Sequence, residues 1–309
     1  MNPQDGKTLE GKTIVITGAT SGIGLALARL AVMKGAWAIG VGRSKERCDA
    51  ALSRITNVAD KEKISFLPAD LSLLGQTKNL AAQVHRQMDA WKITSLDALV
   101  LNAATVPFRQ VRTEEGFDTQ WVVNYLSGFL LARLLEESLA HAHDARIISV
   151  SSNSHYHTRM RWDDLQMVKR YNPLMAYKQS KLAQVIFSAE HNRRYKGTTG
   201  VTALAADPGL VRTDIGFKGN SCLMELFWRM RRMKGRSPED AAADILFLLE
   251  NDATHQSEQV YWKHKHPQSP NRVAMNEEVG RRLWEISVNM TKLKDTGQTT
   301  NNHQQKRSK

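Results

Sequence analysis

A short apolar run, Thr13 to Thr17 (TIVIT), passes directly into Thr17-Gly18-Ala19-Thr20-Ser21-Gly22-Ile23-Gly24 and then into a helical stretch over 22–34. This junction constrains the chain more than any other feature. Glycine permits a tight turn and lets the backbone approach a bound group closely. The start of the helix adds free N–H groups and the positive end of a dipole, both suited to an anion. A strand, a glycine turn and a helix in this order predict a cradle for a pyrophosphate, with a plain strand-to-helix turn as the alternative.

The same rhythm runs on. Strands are predicted over 37–42, 64–69, 96–102, 145–152, 201–208 and 258–262. Between them lie helical stretches at 44–57, 72–90, 113–143 (two helices), 174–196, 237–250 and 276–290. Apolar strands alternating with helices imply a parallel sheet covered on both faces. Right-handed crossovers make this an α/β, Rossmann-type, doubly wound sheet of about seven strands, built as a single domain over 1–290. Two stretches break the rhythm, 153–173 and 210–236, and both follow carboxyl ends of strands, where ligands bind in such sheets.

Composition narrows the class. Cys48 and Cys222 are the only cysteines, which is no disulfide framework and suits a reducing compartment. No segment approaches the roughly 18 apolar residues of a membrane span, and the N-terminus lacks the apolar core of a signal peptide. A cytoplasmic protein, or one resting peripherally on a membrane surface, is expected. The formal net charge is +12. Basic residues gather at Arg229, Arg231, Arg232, Lys234 and Arg236 and in a polar 291–309 tail that is expected to be disordered. A soluble basic surface accounts for this charge, and no nucleic-acid-reading motif accompanies it.

At the end of the second strand, an NAD site would offer an acid to the ribose hydroxyls. Here stand Gly42 and Arg43. A guanidinium there would pair with a 2′-phosphate, so NADP(H) is favoured over NAD, with a solvated surface arginine as the alternative. Asp70, just past the third strand, is placed to accept from an adenine amino group or to cap the next helix, a role also open to Ser72.

On these residues the chain resembles the short-chain dehydrogenase/reductase family. The family's T-G-x-x-x-G-x-G stands as TGATSGIG, its Tyr-x-x-x-Lys as Tyr177-Lys-Gln-Ser-Lys181, and its Pro-Gly after the sixth strand as Pro208-Gly209. The resemblance covers about residues 10–290. VNYLSGFLLARLLEESL, DPGLVRTDI and RRLWEIS are similar to the retinol-dehydrogenase-like branch. One departure is Leu101-Asn102-Ala103-Ala104, where the family's Asn-Asn-Ala-Gly ends in glycine. It touches the backbone beside the adenosine ribose, not the reacting groups.

The resemblance implies hydride transfer between a nicotinamide and a carbonyl or alcohol. Its implied catalytic residues are Asn124, Ser152, Tyr177 and Lys181. Cofactor contacts are implied at Gly18, Thr20, Ser21, Gly22, Ile23, Gly24, Arg43, Asp70, Leu71, Asn102, Tyr177, Lys181, Pro208, Gly209, Val211 and Thr213. Tyr177 and Lys181 lie four apart and share a helix face, so the ammonium can favour the phenolate and let Tyr177 exchange a proton with substrate oxygen. Ser152, rather than its neighbour Ser151, is expected to hold the carbonyl. Asn124 is expected to orient a water beside Lys181, with a buried structural asparagine as the alternative.

His155-Tyr-His157 and His264-Lys-His266 lack a third ligand nearby, so no metal site is expected. The stretch 210–236 reads as a lid, because Leu223, Leu226, Phe227 and Met230 fall at helical spacing, with a stripe that simply packs on the domain as the alternative. A lid of this kind suits a small lipophilic ketone, aldehyde or alcohol, and an oligomer is compatible with the reading. The competing class is a non-catalytic NADP-sensing regulator, against which the intact Ser152, Asn124, Tyr177 and Lys181 set argues.

Overall fold

Alternate residues of a strand face opposite ways, and in this sheet the two sets found separate cores. The structure, a computed structural model, describes residues 8–56, 60–212 and 235–293. Its strands are β1 (Thr13–Thr17), β2 (Trp37–Gly42), β3 (Ile64–Pro68), β4 (Ala98–Leu101), β5 (Arg146–Val150), β6 (Thr202–Asp207), β7 (Tyr261–Lys263) and β8 (His266–Gln268). Their order across the sheet is β3-β2-β1-β4-β5-β6-β7-β8, parallel from β3 to β7. The chain reverses direction across the sheet between β1 and β4, so a crevice opens at their carboxyl ends, where Thr17 and Leu101 finish.

The principal helices are α1 (Gly22–Met33), α2 (Lys45–Thr56), α3 (Leu74–Ala90), α4 (119–134), α5 (Pro173–His191), α6 (Pro238–Glu250) and α7 (Glu277–Thr291). Ile14, Ile16, Val100, Ile148 and Leu204 point into one core with Leu27 of α1 and Ile245 of α6. Val15, Leu99, Leu101, Ile147 and Ala205 point into the other with Leu80 of α3, Phe129 of α4, Val185 of α5 and Trp284 of α7. The central strands are buried on both faces, as their continuous apolar runs require.

The sheet has eight strands where about seven were expected. The extra one, β8, pairs antiparallel with β7 and is wholly exposed, so no apolar pattern announces it. Helix α4 starts at Thr119, six residues inside the predicted span. Thr113 and Phe117 close a turn on each other, and Asp118 caps the helix by accepting from Trp121 N at 2.9 Å. Helix α4 also contains a π turn, Val122–Leu126, which carries Asn124. Such turns concentrate at functional sites. Among the described residues no helix is long and apolar enough to cross a membrane. The apolar stripe at 223–230, Thr213, Cys222 and the tail beyond Leu293 lie outside the described residues.

Candidate active site

The glycine turn is fixed by close approach. Gly18 and Gly22 adopt φ of 67° and 54°, a region that favours glycine. A Cβ on Gly18 would lie 2.9 Å from Ala103 Cα, and one on Gly24 would strike the Gly18 carbonyl oxygen. Ser21 caps α1 in an extended conformation without a side-chain hydrogen bond, and no acidic residue stands in the first turn. The helix start therefore fits an anion. Asn102 staples this turn to the end of β4. Its Nδ2 donates to Thr17 O at 2.8 Å and Gly18 O at 3.3 Å, while Thr17 Oγ1 accepts from the N–H groups of Asn102 and Ala103. Ala104 is not among the left-handed residues, so the family's glycine is not required there.

At the carboxyl end of the neighbouring strand, Gly42 ends β2 with no room for a side chain. A Cβ there would strike Thr20 Cγ2 and lie 2.8 Å from Cys48 Sγ. Arg43 follows, exposed and without an ion pair among the described residues. Asp70 Oδ1 accepts from Ser72 N at 2.9 Å, and Leu71 is buried beside it. Neither Asp70 nor Ser72 caps α3. Glu115 does so, accepting from Leu74 N at 2.7 Å and Gly75 N at 2.9 Å.

After β5, two neighbouring serines have different surroundings. Ser151 is buried, and its hydroxyl donates to Lys181 O at 2.9 Å, tying β5 to α5. Ser152 is partly exposed and opens a short helical turn, Asn153–His157. Its Oγ accepts from Ser154 N at 3.2 Å and its O–H has no acceptor among the described residues. His155 holds the turn in place. It is buried, its Nδ1 donates to Ser152 O at 2.8 Å, and its Nε2 accepts from Asn271 N at 3.2 Å. Burial lowers its pKa, in keeping with a neutral ring.

Helix α5 opens with Asn172, which accepts from Leu174 N and Met175 N, followed by Pro173 in the first turn. This cap positions Tyr177 and Lys181 on the helix. Tyr177 is partly exposed, whereas Lys181 is only 2% exposed. Lys181 Nζ sits 5.5 Å from the Tyr177 ring centroid and donates to Val150 O at 2.7 Å and Gln184 Oε1 at 3.2 Å. Burial pushes its pKa down to about 7, opposed by the field of Asp207. Asn124 is buried, and its side chain is fully engaged with both backbone groups of Thr105 and with Ser180 Oγ. Its carbonyl accepts from Gln184 Nε2 at 2.7 Å.

Beyond β6, Asp207 accepts from Gly209 N at 2.8 Å, which lets the chain turn after Pro208 with Gly209 at a φ of 76°. Val211 pairs with Arg236 in a bridge. Arg236 is anchored in turn by Asp244 and His264.

The structure thus sets Tyr177 over Lys181 and Asn124 one residue away through Gln184, while Ser152 follows directly on Val150 and Ser151, both of which bond to Lys181. Four supporting residues had no sequence signal of their own. Gln184, Asn271, Asp207 and Glu115 act through partners between 2 and 116 positions away, and a single side chain carries no periodicity.

A family model described as short chain dehydrogenase matches residues 12–221. The chain belongs to the short-chain dehydrogenase family. It is 32% identical over 295 residues to retinol dehydrogenase 13 of Homo sapiens, covering 93% of this chain and 86% of that protein. Polyprenol dehydrogenase of Homo sapiens is 30% identical over 302 residues, covering 92% and 86%. A crystal structure of an uncharacterized protein from Mycobacterium paratuberculosis superposes with a TM-score of 0.66 at 25% identity, covering 93% and 96%. This short-chain dehydrogenase is an alcohol and carbonyl oxidoreductase of the retinol-dehydrogenase-like branch.

Proposed function

We propose that the chain interconverts a lipophilic alcohol and its aldehyde or ketone with NADP(H), through Ser152, Tyr177 and Lys181. The observation that carries this reading is the state of Lys181. A buried ammonium without a carboxylate in contact is costly to fold around, and such groups cluster at functional sites. Here the cation lies against the Tyr177 ring and is held by Val150 O and Gln184 Oε1.

The glycine turn with its bare helix start would hold the pyrophosphate, and Asn102 would keep that cradle rigid. When bound, the nicotinamide supplies or takes up the hydride. Ser152 offers its O–H to the substrate oxygen and fixes the carbonyl. Tyr177 gives that oxygen a proton in reduction and takes it back in oxidation, with the Lys181 charge stabilising the tyrosyl oxygen while the proton is away.

Two observations support NADP(H). An acid cannot stand at position 42, where Thr20 and Cys48 fill the space, and Arg43 is exposed beside it. The lipophilic substrate class is supported by relatives named for retinol and polyprenol.

The test is turnover with NADPH and NADH against a panel of lipophilic aldehydes and ketones, with Tyr177→Phe alongside. Tyr177→Phe should abolish turnover and leave NADPH affinity nearly intact. Retained kcat within about tenfold, or about 1.4 kcal/mol of barrier, would overturn the assignment. Preference for polar sugars would overturn the substrate class.

A further inference from the structure

Gln184 lies between two groups with opposite needs. The Lys181 ammonium can only donate, and it donates to Gln184 Oε1 at 3.2 Å. The Asn124 carbonyl can only accept, and Gln184 Nε2 donates to it at 2.7 Å. A carboxamide offers an acceptor at one end and donors at the other, so this pair of contacts also fixes which way the amide points. Gln184 is 3% exposed. It spans the gap between Asn124 and Lys181 in which a relay water was expected.

We propose that Gln184 is a positioning residue of the oxidoreductase, one that holds the Lys181 ammonium in its protonated form and in its place beside Tyr177. The inference rests on the reading of Lys181 as the catalytic cation. The groups facing that cation are few. Its own helix supplies Tyr177 and Gln184, β5 supplies the Val150 carbonyl, and the end of β6 supplies Asp207. Asp207 acts at a distance, because its two oxygens accept from Gly209 N and Tyr261 Oη. Helix α4 presents Asn124, which is uncharged. Gln184 Oε1 is therefore the side-chain acceptor on this ammonium among the described residues. Without it, burial acts on Lys181 with one contact fewer, and the neutral amine gains ground.

The experiment compares Gln184→Met, of similar length and without polar ends, with Gln184→Glu, which keeps an acceptor toward Lys181 and adds charge. Urea unfolding across pH, with and without Lys181→Met in each background, gives the Lys181 protonation midpoint independently of turnover. Gln184→Met should lower that midpoint by about one pH unit and Gln184→Glu should raise it by about one. In turnover, the alkaline limb of carbonyl reduction should move with the midpoint. For Gln184→Met, kcat should fall about tenfold with KM changed less than about twofold.

Midpoints within about 0.3 units of wild type in both variants would overturn the proposal, even if the variants lose stability. If Gln184→Met does not fold, an unmoved midpoint in Gln184→Glu alone overturns it. Midpoints that move in a protein without NADPH turnover would uphold the positioning role and overturn the functional reading instead.

Discussion

Lys181→Met should make the folded protein more stable at neutral pH while destroying its activity. The folded-state pKa of about 7 lies below the ordinary 10.5. Between those two values the unfolded chain binds more protons than the folded one, so wild-type stability rises with pH across that window. The penalty is complete below pH 7 and gone above about 10.5. Integrating the linkage relation over these two values gives a gain of about 2 kcal/mol between about pH 7 and 9. Methionine fills similar space and does not titrate. Groups remote from Lys181 titrate alike in both proteins and cancel in the difference. The stability of wild type minus variant should therefore climb by about 2 kcal/mol over that interval, about 3 °C in Tm for a chain of this size. Urea denaturation at a fixed temperature and several pH values measures it. A difference flat to within about 0.5 kcal/mol would refute the claim that Lys181 is buried against its charge. A difference that falls with pH would show a partner holding the ammonium charged.

Cofactor preference gives a paired test: Arg43→Ala should weaken NADPH about tenfold and leave NADH nearly unchanged, read by fluorescence titration at fixed salt. Equal losses would show that Arg43 does not meet the 2′-phosphate. Gly42→Asp should not produce an NADH enzyme, because its Cβ would strike Thr20 and crowd Cys48. Loss of about 2 kcal/mol or more of stability is expected, and a well-folded NADH-preferring variant would contradict this packing. Asn102→Ala removes the donors to Thr17 O and Gly18 O. It should cost about 1–3 kcal/mol and weaken either cofactor alike. An effect on NADPH alone would place Asn102 elsewhere in the site.

Much of this architecture was legible because it rests on repetition. β1 and β2 fall on their predicted residues, and α1, α3, α5 and α7 start or end within two residues or so of expectation, since long apolar periodicities survive any tertiary context. The glycine turn was legible because steric exclusion leaves glycine few substitutes. What escaped depends on partners distant in sequence. β8 lacks an apolar face, so only pairing with β7 reveals it. The start of α4 is set by the Thr113 to Phe117 turn and the Asp118 cap, contacts that involve single polar groups and leave no periodic pattern. The cap of α3 comes from Glu115, 40 residues away, whereas Asp70 and Ser72 were the local choices. Ser152 and Ser151 differ in surroundings because Ser151 is turned to Lys181 O, a contact that adjacent identical residues do not announce.

Asn271 donates from Nδ2 to the carbonyls of His155 and Thr158 and from its backbone to His155 Nε2. A residue in the last eighth of the chain thus fastens the turn that begins at Ser152. The glycine cradle and its Asn102 staple, in contrast, are complete within the first third. During synthesis the domain emerges N-terminal end first. The glycine turn at the ends of β1 and β4 can consequently take shape while the turn after β5 is still loose. The serine acquires its fixed place only after the chain has been made almost to its end.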